Sequence, residues 1–571
     1  MSRNLAAVAA LALIACPHDA ARPPHPKQPA RGAVTITVIG TSDTHGALDR
    51  LPMLAGFVEN IRAARAADGG AVVLVDAGDL FQGTLASNLT EGAPVIDAFN
   101  AMAYDAAAVG NHEFDFGPAG PSDTPKADDD DPRGALKERA AQAHFPLLAA
   151  NLLDAASGAR IKWKNMPASI IVEKAGVKIG IVGVTTESTP FTTMPVNFKG
   201  LAVAPPAQTI IDEAKALRAK GAQIVIVAAH LGGKCTKLDD PNDTSSCDPD
   251  EEIMKVVPAI PHGLVDVIVA AHTHQGMAQR INGIPVIESY NAGRAFGRVD
   301  LRVSASGIVT GAKIYPPKDM CAIGKDGNPV PIDECAPGEY EGKPVVSSQA
   351  IAEAIAPAME KAKARRDELI GVELASAFPA RYDEESAEGD LFTDLMLSIR
   401  KDADVAITNG GGLRADLPQG PLTYGALFTA MPFDNHFAIV GMQGKHLRKL
   451  IAGNLHTSSG ILAIAGVTVK ATCKKGVLEV ALFDHKGKPI EDDRSLVVAT
   501  NDFLASGGDG AIGRLALPDG AVDLTDVIIR DAMAAELKKR GGSISAKDFF
   551  DPKKPRLDFP GKRPVKCDAA K

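Results

Sequence analysis

Residues Val34–Gly46 read VTITVIGTSDTHG, an apolar, β-branched run that stops in a polar turn carrying Asp43 and His45. A short apolar run closed by a Gly-containing turn is the pattern of a strand buried on both faces. The pattern recurs along the first half of the chain. Ala71–Asp76 runs into Asp76-Ala77-Gly78-Asp79, and Ala106–Gly110 into Gly110-Asn111-His112-Glu113-Phe114-Asp115. Gln223–Ala229 runs into Ala229-His230-Leu231-Gly232-Gly233, and Val265–Ala271 into Ala271-His272-Thr273-His274. Further strands are expected at Leu147–Ala150 and Lys178–Val184, with helices at Leu51–Ala67 and Thr209–Lys220. Apolar strands alternating with helices predict an α/β domain whose sheets are covered on both faces.

In such a domain strand ends converge on one crevice. One Asp-x-His or His-x-His alone is an ordinary turn. Five polar turns in series, each directly after a strand, bring carboxylates, an amide and imidazoles together, and a metal cluster satisfies such buried charges jointly.

At 571 residues the chain exceeds the roughly 100–200 residues of one domain. Hydrophobic residues make up 45% and charged residues 23%, which excludes wholesale disorder and fibrous repeats. The net charge of −9 gives no electrostatic footprint for duplex nucleic acid. Arg3 and the apolar run Leu5–Ala15 read as an export signal, too short to span a bilayer. The run ends Leu13-Ile14-Ala15-Cys16, which resembles a bacterial lipobox with Cys16 as the lipidated residue; an ordinary signal with Cys16 incidental is the alternative. Residues 1–16 are thus a leader and 17–32 a Pro-rich tether, placing the rest in the periplasm or on the cell surface, attached to the membrane only through lipid.

Six further cysteines fit export and allow 15 pairings. Cys235 with Cys247 and Cys321 with Cys335 each bracket a polar loop, which leaves Cys473 with Cys567. The first α/β region is expected over 33–315, a connection and linker helix over 316–369, a second α/β region over 370–550 and a basic tail over 551–571.

The motifs D-x-H, G-D, G-N-H-E, H and H-x-H, at Asp43 through His274, resemble those of the calcineurin-like metallophosphoesterases. The strings TSDTHG, DAGDLFQG, GNHEFDFG and AHLGG resemble the exported UDP-sugar hydrolase/5'-nucleotidase branch. This resemblance implies a four-layer αββα sandwich followed by a smaller α/β nucleotide-binding domain. It implies two divalent metal ions (manganese, zinc, cobalt or magnesium): one on Asp43, His45 and His274, the other on Asn111, His230 and His272, with Asp79 bridging. Several exported 5'-nucleotidases have Gln or Asn where this chain has His274. His112 is implied as the hydrogen-bond donor to the phosphoryl group, and Asp115 as the carboxylate that orients it.

In the second half, Asn409-Gly410-Gly411-Gly412-Leu413-Arg414, Met431-Pro432-Phe433-Asp434-Asn435 and the string from Asn501 to Gly510 resemble the substrate-binding domain of the same branch. Aromatics are only 5% of the chain, so a Phe in each polar loop stands out. The resemblance implies a base held between Phe433 and Phe503, Asn435 at the base, Asp509 at the ribose, and Arg414 on the phosphate or ribose side. Arg381 is a further candidate, offset in register. The implied activity is hydrolysis of nucleoside 5'-monophosphates to nucleoside and phosphate through in-line attack by a metal-activated water, with UDP-sugars or 2',3'-cyclic nucleotides as further substrates. Two alternatives stay open: a thiosulfohydrolase-like or other phosphoesterase reaction on the same scaffold, and a lipoprotein that binds nucleotide without turnover. Metal identity, base preference and oligomeric state are not written in the sequence.

Overall fold

The computed structural model describes residues 32–120, 122–325, 327 and 329–567; the leader, Cys16 and nearly all of the tether lie outside these. Two six-stranded sheets form the first half. In spatial order the first contains Val309–Asp319, Ala295–Val303, Val34–Thr41, Ala71–Asp76, Ala106–Ala108 and Leu147–Leu148. The second contains Gly276–Ile281, Ile284–Ser289, Val267–Ala270, Ile224–His230, Val177–Thr185 and Ser169–Lys174.

Side chains on a strand alternate between faces, and Val34–Thr41 uses both. Ile36 and Val38 point between the sheets, where they join Val73, Ile181, Ile226 and Val269. Ile39 points the other way, into a layer with helices Leu51–Ala67, Ala93–Met102, Gly134–Gln142 and Gln349–Arg366. Helices Pro206–Ala219 and Glu252–Val256 cover the outer face of the second sheet. The layers therefore run αββα. Each fully buried Val, Leu or Ile contributes roughly 1.5–3 kcal/mol, which is why nearly continuous apolar strands end up inside.

Register then fixes the site. Thr41 lies opposite Asp76 in one parallel pair, and Thr185 opposite His230 and Ala270 opposite Ala229 in the other sheet. Parallel neighbours finish at the same edge, so the polar turns of both sheets emerge together.

The second half is built on a five-stranded mixed sheet in the order Leu462–Ala465, Val405–Asn409, Ser495–Asn501, His436–Gln443 and Val522–Ile528. Helix Gly444–Leu455 packs on one face, and helices Ala387–Ile399, Tyr424–Ala430 and Ile529–Arg540 on the other. Disulfides join Cys235 to Cys247, Cys321 to Cys335 and Cys473 to Cys567.

The expected basic tail is not a free one. Leu557–Asp558 adds a parallel strand beside Val469–Lys470, Arg556 forms a two-pronged pair with Asp394 at 2.8 Å, and Val565 is buried. Its few apolar residues join the core under helix Gly444–Leu455, which outweighs its basic composition. Among the described residues no helix is long and apolar enough to cross a membrane.

Candidate active site

The turns after the parallel strands are backbone-strained. Asp43, His45, Asp79, His272 and His274 all have positive φ, between 47° and 84°. Left-handed backbone is unfavourable for residues with a Cβ and persists where the surrounding structure enforces it, typically at functional sites. Here carboxylates do much of the enforcing. Glu113 accepts from the backbone N–H groups of Asp79, Leu80 and Gly110 at 2.9, 2.6 and 2.6 Å. Glu288 accepts from Thr273 Oγ1 and Gly233 N at 2.7 and 3.1 Å, bracing the His272–His274 turn.

Two donor groups result. Asp43, His45 and His274 form one, and Asp79, His230 and His272 the other, with the donor atoms of each within 4.8 Å of one another. Asp79 Oδ2 lies 3.2 Å from His230 Nε2 and 3.8 Å from His45 Nε2, between the two groups. Asn111 Oδ1 comes within 2.9 Å of His230 Nε2, while its amide nitrogen donates to Thr192 O.

These residues fit divalent cations by the chemistry of their donors. His45 Nδ1 faces Gln82 O at 2.8 Å and His230 Nδ1 faces Ala77 O at 3.0 Å. In the neutral ring a carbonyl partner assigns the proton to Nδ1 and leaves Nε2 as a lone pair, the usual tautomer of a metal-ligating histidine. Ring nitrogens and oxygens converge inside the site: His45 Nε2 lies 3.0 Å from His274 Nε2, and His230 Nε2 lies 2.9 Å from Asn111 Oδ1 and 3.2 Å from Asp79 Oδ2. Such convergent imidazole and carboxylate donors are the ligand set that divalent first-row cations take. Burial pushes His45 and His272 down to about 3 and His274 well below the imidazole range, with the Arg414 charge acting in the same direction, so all three rings are neutral donors at neutral pH. Burial acts on His230 likewise, but the Asp79 carboxylate outweighs it and lifts that ring to about 10.

His112 Nδ1 lies 2.5 Å from Asp115 Oδ2, and Thr193 Oγ1 donates to Asp115 Oδ1 at 2.7 Å. Burial alone would lower the His112 pKa; the Asp115 and Asp79 carboxylates outweigh it and hold the ring above its ordinary value.

The second half closes over this cluster. Arg414 Nη2 reaches His45 Nε2 at 3.2 Å and His274 Nε2 at 3.4 Å. Gln82 and Asn88 donate side-chain N–H groups to Pro432 O at 3.0 and 3.1 Å. A cleft of about 770 Å³ lies between the halves, lined by Asp79, Asn111, His112, His272 and His274 on one side and by Arg414, Phe433, Asn435, Phe503 and Asp509 on the other. The Phe433 ring centroid is 5.5 Å from that of His112. Arg381 does not line the cleft; its guanidinium donates to Ala380 O, and its neighbour Tyr382 lines the wall instead.

Sequence reasoning missed several supports. Gln82 holds His45 through its carbonyl and the other half through its amide; it stands inside the quoted DAGDLFQG string. Thr193 and Arg530 carry no local signal. Arg530, 3% exposed, donates to Met431 O and Phe433 O at 3.0 Å and pairs with Asp434, so it shapes the Phe433 loop from the far helix.

Comparison with known proteins agrees with this geometry. Residues 36–276 match the calcineurin-like phosphoesterase family and residues 366–514 the 5'-nucleotidase C-terminal domain. Protein UshA of Yersinia enterocolitica is 26% identical over 509 residues, covering 83% of this chain and 86% of UshA. The crystal structure of a 5'-nucleotidase precursor from Thermus thermophilus superposes with a TM-score of 0.71 at 21% identity, over 92% of this chain and 99% of that one. The sulfate thiohydrolase SoxB of the same organism superposes with a TM-score of 0.69 at 15% identity, over 95% and 99%. With both family matches in one chain and the cleft lined from both, the chain belongs to the metallophosphoesterases that join a calcineurin-like phosphoesterase domain to a 5'-nucleotidase C-terminal domain, and it is a divalent-metal-dependent phosphoesterase hydrolase.

Proposed function

We propose that the chain is an exported 5'-nucleotidase that releases phosphate from nucleoside 5'-monophosphates, with UDP-sugars or 2',3'-cyclic nucleotides as secondary substrates. In this reading Asp43, His45 and His274 hold one cation and Asn111, His230 and His272 a second, of manganese, zinc, cobalt or magnesium, with Asp79 shared. When bound, such a pair supplies Lewis-acid polarisation of phosphoryl oxygens and activation of water. The observation that carries the reading is the placement of Phe433 and Phe503 in the same cleft as the donor groups and His112. A flat base between rings gains roughly 1–3 kcal/mol by stacking, with little regard for base identity.

The chain's own residues divide the work. His112, held by Asp115, points its Nε2–H at the phosphoryl group, where negative charge grows in the transition state. Arg414 reaches the same place from the other half and orients the anion. Phe433, Phe503 and Asn435 hold the base, Asp509 accepts from ribose hydroxyls, and closure of the cleft excludes water. The fold is shared with a sulfate thiohydrolase and does not choose the substrate; the two Phe-bearing loops favour a nucleotide. Export is supported by the three disulfides, which persist in oxidising compartments, and lipid attachment at Cys16 remains part of the proposal.

The test is a phosphate-release panel across nucleotides, UDP-glucose and thiosulfate-type esters, with metal content measured on the same sample. Phosphate release from nucleoside monophosphates, lost on chelation and restored by a divalent cation, is expected. A metal-loaded protein inert toward every nucleotide contradicts the reading.

A further inference from the structure

Beyond the matched family segments, the C-terminal stretch places an arginine in the cleft wall. Arg563 lines the cleft beside Tyr382, Asp509 and Pro564. Its Nη2 donates to Asn454 O at 2.8 Å and to Ser459 O at 2.7 Å, so one guanidinium ties both ends of the loop that follows helix Gly444–Leu455. That loop is part of the cleft wall: Ser458 lines it, and Gly460 packs so tightly on the Gly410–Gly412 turn that a Cβ there would lie 2.3 Å from Gly411 N.

Arg563 Nε and Nη1 are buried without a hydrogen-bond partner, and so is Asp509 Oδ2. A desolvated guanidinium is costly unless opposite charge faces it. The charges of Asp383 and Asp509 act on Arg563 against the effect of its burial. Burial pushes Asp509 up to about 6, while the Asn409 hydrogen bond and the Arg563 charge oppose that rise. The Arg563 charge thus favours the ionised form of Asp509 although no direct pair joins the two.

The segment holding Arg563 is fixed on both sides. Before it lies the strand Leu557–Asp558. After it, Val565 N donates to Leu455 O at 2.8 Å, His456 Nδ1 lies 2.9 Å from Val565 O, and Cys567 is bonded to Cys473.

We propose that Arg563 is a positioning residue for nucleotide binding: it holds the 454–460 loop beside Asp509 so that the ribose side of the slot is formed before the ligand arrives, and the Cys473–Cys567 bridge keeps it there. The inference rests on the nucleotidase reading. It is tested in the full-length, metal-loaded protein with Arg563→Gln, Arg563→Lys and the double variant Cys473→Ser/Cys567→Ser. Steady-state kinetics are measured on a nucleoside monophosphate and on p-nitrophenyl phosphate, which has no ribose to hold. Arg563→Gln should raise the nucleotide KM about ten-fold, the size of one lost charge-assisted interaction, with kcat and p-nitrophenyl phosphate turnover unchanged. Arg563→Lys should recover part of the loss, and the cysteine double variant should shift KM in the same direction. A nucleotide KM equal to wild type in Arg563→Gln overturns the proposal. So does an equal loss on both substrates, which assigns Arg563 to general stability. Wild-type protein that turns over p-nitrophenyl phosphate but no nucleotide marks a failure of the functional reading itself, and that outcome needs no variant to recognise.

Discussion

His112 is the residue on which turnover is expected to depend without metal binding depending on it. Its ring makes no hydrogen bond to the two donor groups; its Nδ1 belongs to Asp115. Loss of a preorganised donor to developing charge costs about 10²–10³ in kcat. His112→Ala should therefore lower kcat by about that factor while metal content, measured by elemental analysis, stays at the wild-type stoichiometry. Asp115→Asn should act in the same direction and less strongly. A variant that loses metal along with activity would move His112 into the cation-holding set. Asp43, His45, Asp79, His230, His272 and His274 were legible because each follows an apolar run at a position where a strand must end. Thr193 was not, because a threonine oriented by folding toward Asp115 78 residues away leaves no trace in its neighbours.

Among the elements, the turn from Asn501 to Gly510 shows how backbone places a ring in the cleft wall. Asn501 caps the short helix Asp502–Ala505 by accepting from Leu504 N at 2.8 Å, which aims Phe503 into the cleft. Gly508 lies directly behind the ring; a Cβ there would come within 2.5 Å of Phe503 carbons. Gly508→Ala should push the ring across the slot and weaken nucleoside binding several-fold by calorimetry, with the metal content intact. Unaltered nucleoside affinity would show that Phe503 does not form the slot. The strands and long helices were readable from periodicity and length. The C-terminal segment misled, since its strand Leu557–Asp558 spans two residues and its other ties are long-range, where local composition carries no information.

For the molecule as a whole, buried acids set the response to pH. Glu388, fully buried in the second half, has its pKa raised well above the ordinary value by burial and then by the Asp416 charge. The folded chain retains this proton at pH values where the unfolded chain, titrating near ~4.3, has released it. Its contribution to stability is therefore fully present at low pH and declines as pH rises from about 4 toward the raised value. Between pH 5 and pH 8 the melting temperature of wild type should fall more steeply than that of Glu388→Gln, which carries no titrating proton. Parallel slopes in differential scanning calorimetry would rule this out. The two halves also share ties that neither motif set announced: His436 sits 4.0 Å from Asp123 of the first half and 3.4 Å from Asp502 of its own. The Cys473–Cys567 bond, spanning 94 positions, has a practical corollary at this scale. A single protease nick between those cysteines leaves two fragments that migrate as one band on a gel until a reductant is added, and a single band under oxidising conditions is then no proof of an unbroken chain around Phe503 and Asp509.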